Sequence, residues 1–128
     1  MNDLDSQLAQ VCTTSTPRAL PDEVYKGLYK SLLQDSLQQG ASHIHLHCSR
    51  DQLRIRYRIG DDLHERGAIP LQASERLLDA VKSHCRIDLS ERRRPQCGRG
   101  TVTNAGGDRT IEANFLLASH GPAALLFW

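Results

Sequence analysis

The sequence has almost no net charge, because its Lys and Arg residues (16) nearly cancel its Asp and Glu residues (15) and leave a formal charge of +1. Such a weak overall field gives no general attraction to nucleic acid or to an anionic membrane, so any electrostatic function has to be local. No apolar run approaches the ~18 residues of a membrane-spanning helix, and the acidic start, MNDLDSQLAQVC, does not form a secretory signal. We expect a cytoplasmic protein that reaches a membrane through its partners.

Several catalytic motifs are also absent. The cysteines Cys12, Cys48, Cys85 and Cys97 form no CxxC or CxxH pair, which excludes a zinc ribbon and a thioredoxin motif. The chain has no GxSxG sequence, and no lysine follows a glycine, so the GxxxxGK[ST] loop that cradles nucleotide phosphates is missing. The sequence therefore predicts no catalytic residue, no cofactor and no independent ATP hydrolysis.

The first part of the chain predicts a leader followed by an amphipathic helix. Residues 1–20 end in the polar stretch TTSTPRAL and predict a flexible leader, with a short helix near its start as one option. From residue 22 to residue 39, apolar side chains recur at three- and four-residue steps, which predicts a helix. We expect Asp22 to cap this helix and Gly40 to end it in a left-handed conformation.

After Gly40 the apolar period changes from that of a helix to that of a strand. Alternation in HIHLH and QLRIRYRI predicts two strands of an antiparallel hairpin, with Ile44, Leu46 and Tyr57 among the inward side chains. The turn GDD and the loop LHERGAIP lead to a second helix, and three short β-like runs follow it. The order αββαβββ predicts a single α+β domain at 21–128, with a mostly antiparallel sheet and two main helices on one face.

Three histidines, His43, His45 and His47, share one face of the first predicted strand. Side chains two residues apart stand ~6.6 Å from each other, so the row could supply metal ligands. A linear row does not point at one centre, however, and no HExxH or similar spacing accompanies it. We interpret the row as a polar strand face and keep metal binding as an open alternative.

Two groups of arginines are candidate binding residues. Arg54, Arg56 and Arg58 place three guanidinium groups on one face of the second strand, where they either form a solvated face or bind phosphates or acidic side chains. The loop SERRRPQCGRG carries the second group, which consists of Arg92, Arg93, Arg94 and Arg99. Arg94 and Arg99 are spaced to bind a ligand between them.

Two stretches, GASHIHLHCSRDQLRIRYRIGDDLHE and RIDLSERRRPQCGR, resemble the domain that precedes the motor in secretion and pilus-assembly ATPases of the GspE/PilB family. The family reads approximately GASDIHIEP, RLRVRYRIDGxLxE and LDIAERRLPQDGR at these places. The resemblance begins near Val24 and runs to the C-terminus. It implies a PAS-like α+β fold and a place in a hexameric motor that drives pilus or pseudopilus assembly at the inner membrane.

Departures from the family pattern bear on activity. The family continues into a motor domain with a Walker A loop, which this sequence does not contain. Aligned with the family's DLRVSTLPTVHGERVVLRLL, the segment TIEANFLLASHGPAALLF places Glu112 and Phe127 where the family has two arginines that reach toward nucleotide. A carboxylate repels a phosphoryl group and a phenyl ring carries no charge, so neither residue can take that role.

The resemblance and its departures together predict a stand-alone, non-catalytic interaction or regulatory domain. We expect it to bind a protein component of a secretion or pilus machine, or the cognate ATPase, through the two arginine groups. Its expected location is the cytoplasm, peripheral to the inner membrane through partners. Two alternatives stay open: a detached half of a split ATPase that acts with a separate motor chain, and a metal- or nucleic-acid-binding module that uses the histidine or arginine row.

Overall fold

Six antiparallel strands form one sheet in the computed structural model, which describes residues 3–91, 94–104, 106–118 and 120–128. The strands are β1 (His43–Cys48), β2 (Gln52–Ile59), β3 (Asp62–Pro70), β4 (Gln96–Asn104), β5 (Gly107–Ala118) and β6 (Gly121–Phe127). The helices are α1 (Asp3–Thr13), α2 (Asp22–Gln38) and α3 (Leu71–His84), with a short 3-10 turn at Pro17–Ala19. Within the described ranges, no helix has both the length and the apolar character that crossing a membrane requires.

The sheet is built from two meanders that meet at its centre. Its spatial order is β3-β2-β1-β6-β5-β4, so the last strand of the second meander pairs with the first strand of the first. Every neighbouring pair is antiparallel, and α3 supplies the connection between the two halves. This architecture confirms the predicted α+β class, with one strand and one helix more than the predicted order αββαβββ.

The core lies between the helices and one face of the sheet. Ile44, Leu46 and Tyr57 are each about 1% exposed, in agreement with the alternation that predicts the hairpin. Helix α2 buries a matching stripe at three- and four-residue steps: Tyr25, Leu28, Tyr29, Leu32 and Leu33. Removal of this apolar surface from water is the main stabilising contribution of both layers.

The two ends of α2 differ in how well the sequence predicts them. The N-cap position is Pro21, which makes no side-chain cap, and the predicted cap Asp22 instead pairs with Arg76 of α3. The expectation of an Asp22 cap is therefore wrong. Gly40 has a φ of +73°, which is the left-handed conformation expected of the residue that ends the helix.

Helix α1 occupies much of the segment 1–20, which the sequence predicts as a flexible leader. Leu4, Leu8 and Val11 lie at helical spacing on its inner face and are buried against the rest of the domain. Strand β3 makes room for this contact at Gly67, because a Cβ atom there would stand 2.9 Å from Leu8 Cδ1. Only three apolar side chains anchor α1, and this sparse pattern in a polar segment explains why the sequence suggests a leader.

Strand β3 lies at one edge of the sheet, where the sequence predicts a loop that leads to a helix. Most of its side chains are exposed or half-buried, so it lacks the alternation that marks a strand. Its register shifts between Ile55 and Arg56 of β2, with Arg66 as the additional residue of a β-bulge. As a result the Glu65 side chain lies on the face of the sheet away from the helices, where it pairs with Arg56. The Arg66 side chain lies on the opposite face, where it pairs with Asp35 of α2.

Candidate functional site

One face of the sheet is not covered by any described helix, and we call it the open face. It is formed by the outward side chains of all six strands. Its members are Leu63 and Glu65 of β3; Arg54, Arg56 and Arg58 of β2; His43, His45 and His47 of β1; Ala123, Leu125 and Phe127 of β6; Glu112, Asn114 and Leu116 of β5; and Cys97 and Arg99 of β4.

The histidine row and the arginine row lie side by side on the open face. Their register pairs His43 with Arg58 and His45 with Arg56 across adjacent strands. Burial lowers the pKa of His45, and the nearby His43, Arg58 and Arg56 lower it further. Burial and neighbouring positive charge on the open face therefore disfavour the protonated form of the His45 imidazole.

The histidines do not converge on a common point. The ring centroids of His43 and His45 are 6.3 Å apart, and His43 Nδ1 lies 2.7 Å from Ser42 Oγ. Among the described residues, no group of three or more His, Cys, Asp or Glu side chains is arranged to hold a metal ion. The geometry therefore gives the metal alternative no support.

Glu65 of β3 partly neutralises the arginine row. Its carboxylate accepts hydrogen bonds from Arg54 Nε at 3.0 Å, from Arg54 Nη2 at 3.1 Å and from Arg56 Nε at 2.8 Å. Burial acts to raise the pKa of Glu65, but the hydrogen bonds and charges of the two arginines outweigh it and lower the pKa. Two of the three members of the predicted row are therefore already paired with a carboxylate, and partner binding by the row stays a prediction.

The other predicted arginines lie in different settings. Arg58 makes no side-chain ion pair with any described residue, so its charge is available on the open face. Arg99 lies on β4 with its Nε 3.4 Å from Glu112 Oε1, and its side chain is 74% exposed. Arg94 is exposed in the loop before β4, whereas Arg92 and Arg93 lie outside the described residues. Of the described members, Arg99 on β4 is separated from the arginine row on β2 by three strands, so it does not form one site with that row.

Strand β6 is apolar on both of its faces. Ala124 and Leu126 are buried beneath the helices, while Leu125 and Phe127 point to the open face and are half-buried there. Strands that are apolar on both sides are typical of sheets covered on both faces. Here the described residues cover one side only, and exposed Leu116 on β5 extends the apolar area.

Glu112 and Phe127 are direct cross-strand neighbours on β5 and β6. These are the two positions that the resemblance aligns with the family's nucleotide-contacting arginines. The Phe127 ring lies 5.8 Å from the His43 ring, and Glu112 faces Arg99 on its other side. The two departures thus fall at one spot on the open face, where a carboxylate and an aromatic ring replace positive charge.

Sequence reasoning missed two parts of this site. Glu65 follows the hairpin in a segment without strand periodicity, so nothing in the sequence places it opposite Arg54 and Arg56. The outward position of Leu125 depends on the pairing of β1 with β6, which are far apart in the chain. The unbroken apolar run PAALLFW could have indicated the apolar outer side of β6, because such runs are typical of strands that are covered on both faces.

The fold and the open face define the class of protein: a small α+β domain whose antiparallel sheet is covered by helices on one face, with no described helix on the other. Comparison with known proteins then identifies the family. The profile of the type II/IV secretion system protein family matches residues 20–124, and the chain belongs to this family. The resemblance to the domain that precedes the motor in GspE/PilB-type ATPases is thereby confirmed.

Individual relatives agree with the family match. The chain is 42% identical over 69 residues to competence protein ComGA of Halalkalibacterium halodurans, covering 54% of this chain and 20% of the relative. It is 30% identical over 103 residues to the type IV pilus assembly ATPase TfpB of Acinetobacter baylyi, covering 80% of this chain and 17% of the relative. It is 29% identical over 99 residues to the type II secretion system ATPase E of Vibrio cholerae, covering 77% of this chain and 20% of the relative.

The chain spans about a fifth of the length of these curated relatives. Among solved structures, a chain described as the pilus retraction motor PilT with bound ADP is similar at a TM-score of 0.49 and 20% identity. That similarity covers 77% of this chain and 28% of the PilT chain.

Proposed function

We propose that this chain is a non-catalytic interaction or regulatory domain of a type II secretion or type IV pilus machine. Its partner is a machine protein, either another component or the cognate ATPase, and the contact surface is the open face. The observation that carries the proposal is the outward apolar side of β6, formed by Leu125 and Phe127 in the middle of the open face. The proposed location is the cytoplasm, with membrane contact through the partner.

The layout of the open face suits protein binding. Protein interfaces commonly have an apolar, aromatic-rich centre and a polar rim with exposed arginines. On the open face, Leu125 and Phe127 lie between the histidine row on one side and Glu112 on the other. A partner that covered β6 would remove its half-exposed apolar side chains from water, which is the main driving force for association.

The charges of the open face favour an acidic partner. The open face carries more arginines than carboxylates: Arg54, Arg56, Arg58 and Arg99 against Glu65 and Glu112. Arg58 has no carboxylate partner among the described residues, and His43 alone separates it from Phe127 across the strands, so it is well placed to form a bidentate pair with a partner's Asp or Glu.

Site-specific photo-crosslinking in the native host tests the proposal. A crosslinker at exposed His47 on the open face is expected to capture a secretion or pilus protein, whereas one at exposed Arg18, in the 3-10 turn on the helix side, is expected not to capture it. With the captured protein purified, Arg58→Glu and Leu125→Glu are each expected to weaken its binding by about tenfold or more, because each removes a contact at the centre of the interface.

A matched charge reversal, Arg18→Glu, controls for the general effect of added negative charge and is expected to leave this binding unchanged, because the Arg18 side chain is 70% exposed and lies outside the open face. Capture of no secretion or pilus protein from His47, or equal weakening by the Arg18→Glu variant, contradicts the proposal.

A second candidate is a detached half of a split ATPase, which the relatives named as ATPases favour. It predicts ATP hydrolysis when a separate motor chain is added. Under the interaction proposal, reverting Glu112→Arg together with Phe127→Arg has no effect on the hydrolysis of such a mixture. A rise in hydrolysis on reversion would support the split ATPase and contradict a purely non-catalytic role.

A further inference from the structure

A groove on the helix side of the sheet, distant from the open face, carries a separate inference. It runs between α2 and β4, with a volume of about 530 Å³. Its floor is apolar and consists of Tyr29, Leu33, Ala80 and Val102, and two lysines on α2, Lys26 and Lys30, form its wall. We call this the α2 groove.

A second depression of about 590 Å³ continues the α2 groove. Gln34 lines both, and the continuation adds Leu37 of α2, Asn104 of β4 and Arg109 of β5. Together they follow α2 from Lys26 to Gln38, which corresponds to ~18 Å at the rise of an α-helix. The combined length accommodates about three helical turns.

The charge of the α2 groove has one sign. Its charged lining side chains are Lys26, Lys30 and Arg109, and no Asp or Glu is among the described residues that line either depression. Asp22 and Asp79 lie outside the α2 groove, in a neighbouring depression that shares Lys26 with it. An occupant with carboxylates on one flank would therefore meet Lys26 and Lys30 at one end of the groove and Arg109 at the other.

The edge of β4 distinguishes between two kinds of occupant. β4 is the last strand of the sheet, and an exposed edge is ordinarily a site where an extended peptide adds a strand. Here His84 of α3 donates a hydrogen bond from Nε2 to the Thr101 carbonyl at 2.9 Å, and its Nδ1 lies 2.8 Å from Tyr29 Oη. Since this carbonyl is already occupied, a strand added to β4 would lose a main-chain partner.

We propose that the α2 groove binds an acidic amphipathic α-helix of a partner protein. The apolar stripe of the helix lies on the floor formed by Leu33 and Val102, and its acidic flank lies against Lys26, Lys30 and Arg109. This is the helix-in-groove mode of recognition, in which apolar anchors at helical spacing supply affinity and flanking charges set orientation. The site is independent of the open face and does not rest on the function proposed for that face.

Two synthetic helical peptides test the inference. Both have ~14 residues and the same leucine stripe, but one carries Glu on the flanks and the other Lys. In ¹⁵N-labelled protein the Glu peptide is expected to shift the amide resonances of residues that line the α2 groove, and the Lys peptide is expected to shift none of them. The double variant Lys26→Glu, Lys30→Glu is expected to weaken binding of the Glu peptide by about tenfold or more.

Arg58→Glu on the open face is the matched control and is expected to leave binding of the Glu peptide unchanged. Thermal unfolding of each variant confirms that the exposed substitutions keep the domain folded. Three outcomes would overturn the inference: no binding of the Glu peptide, shifts centred on the open face, or equal binding of the Glu peptide by the Lys26, Lys30 double variant.

Discussion

Arg66 Nε lies 2.8 Å from Asp35 Oδ2, and this contact joins the edge strand β3 to the buried side of α2. The bulge in β3 makes Arg66 the additional residue of the pair with β2 and directs its side chain to the helices. The Asp35 side chain is 5% exposed, and it also accepts a hydrogen bond from Tyr57 Oη at 2.8 Å. Burial and the adjacent Asp35 together raise the pKa of Tyr57. The network thus ties one edge of the sheet to the core.

Arg66→Ala is expected to lower the free energy of unfolding by about 3 kcal/mol, because it removes the Arg66 cation that is paired with the buried Asp35 carboxylate. Urea denaturation followed by circular dichroism measures this loss. Arg66 also pairs with Asp5 of α1 at 2.8 Å, so the variant additionally loses this contact between β3 and α1.

Asp5→Ala is the matched control for that prediction. The Asp5 side chain is 56% exposed, and an ion pair at this exposure contributes less than about 1 kcal/mol. An Arg66→Ala protein no less stable than Asp5→Ala would show that the contact with Asp35 contributes little.

Gly100→Ala is expected to destabilise the domain by about 1–3 kcal/mol, through overpacking. A methyl group at this position of β4 would overlap the His84 imidazole, which itself contacts Tyr29 and the Thr101 carbonyl. Movement of the ring would therefore weaken two hydrogen bonds between α2, α3 and β4. The midpoint of thermal unfolding measures the effect.

Gly27→Ala provides the contrasting substitution. Gly27 lies inside α2, and the nearest atom to an added Cβ is the flexible end of Gln7, 3.4 Å away. Alanine is expected to stabilise the helix by about 0.5–1 kcal/mol, because glycine loses more backbone entropy on folding. Equal effects of the two substitutions would show that the approach of His84 to β4 is not tight.

Glu65→Gln is expected to reduce the loss of stability at acid pH. The pKa of Glu65 is lowered from its ordinary value of 4.5, so the folded protein binds fewer protons than the unfolded chain in this range. The stabilisation is present above about pH 4.5 and is lost as the pH falls through the lowered pKa. The group is exposed to solvent, so we expect an effect below about 1 kcal/mol.

Urea midpoints at pH 7 and pH 3.5 measure this effect. The wild-type protein should lose more stability between the two pH values than the Glu65→Gln variant does. An unchanged difference would show that Arg54 and Arg56 do not hold the carboxylate in solution.

The central hairpin could be predicted from the sequence because its signal is local. Ile44, Leu46 and Tyr57 alternate with polar residues, and that alternation decides which face is buried. The edge strand β3 was not predicted, because its residues are mostly exposed or half-buried and do not alternate between apolar and polar types. Its bulge at Arg66 is a property of the register between two strands, which no single segment encodes.

Only the part of the candidate site that depends on local periodicity could be predicted from the sequence. The arginine row was identified as a strand face, but its neutralisation by Glu65 depends on the pairing of β2 with β3. The proximity of Glu112 to Phe127 also required the fold, since the alignment gave their identities and the hairpin of β5 and β6 gave their contact. Residue types were therefore predictable, and their partners were not.

His45→Gln is expected to remove a loss of stability at mildly acidic pH. Burial first, and then His43, Arg58 and Arg56, lower the pKa of His45 from its ordinary value of 6.5. The unfolded chain therefore binds a proton near pH 6.5 that the folded domain does not, so stability falls as the pH drops from about 6.5 toward the lowered pKa. Urea midpoints at pH 7.5 and pH 5.5 should differ less for His45→Gln than for a variant of exposed His47, His47→Gln. If the two variants show the same difference, the open face does not disfavour a charged imidazole at His45.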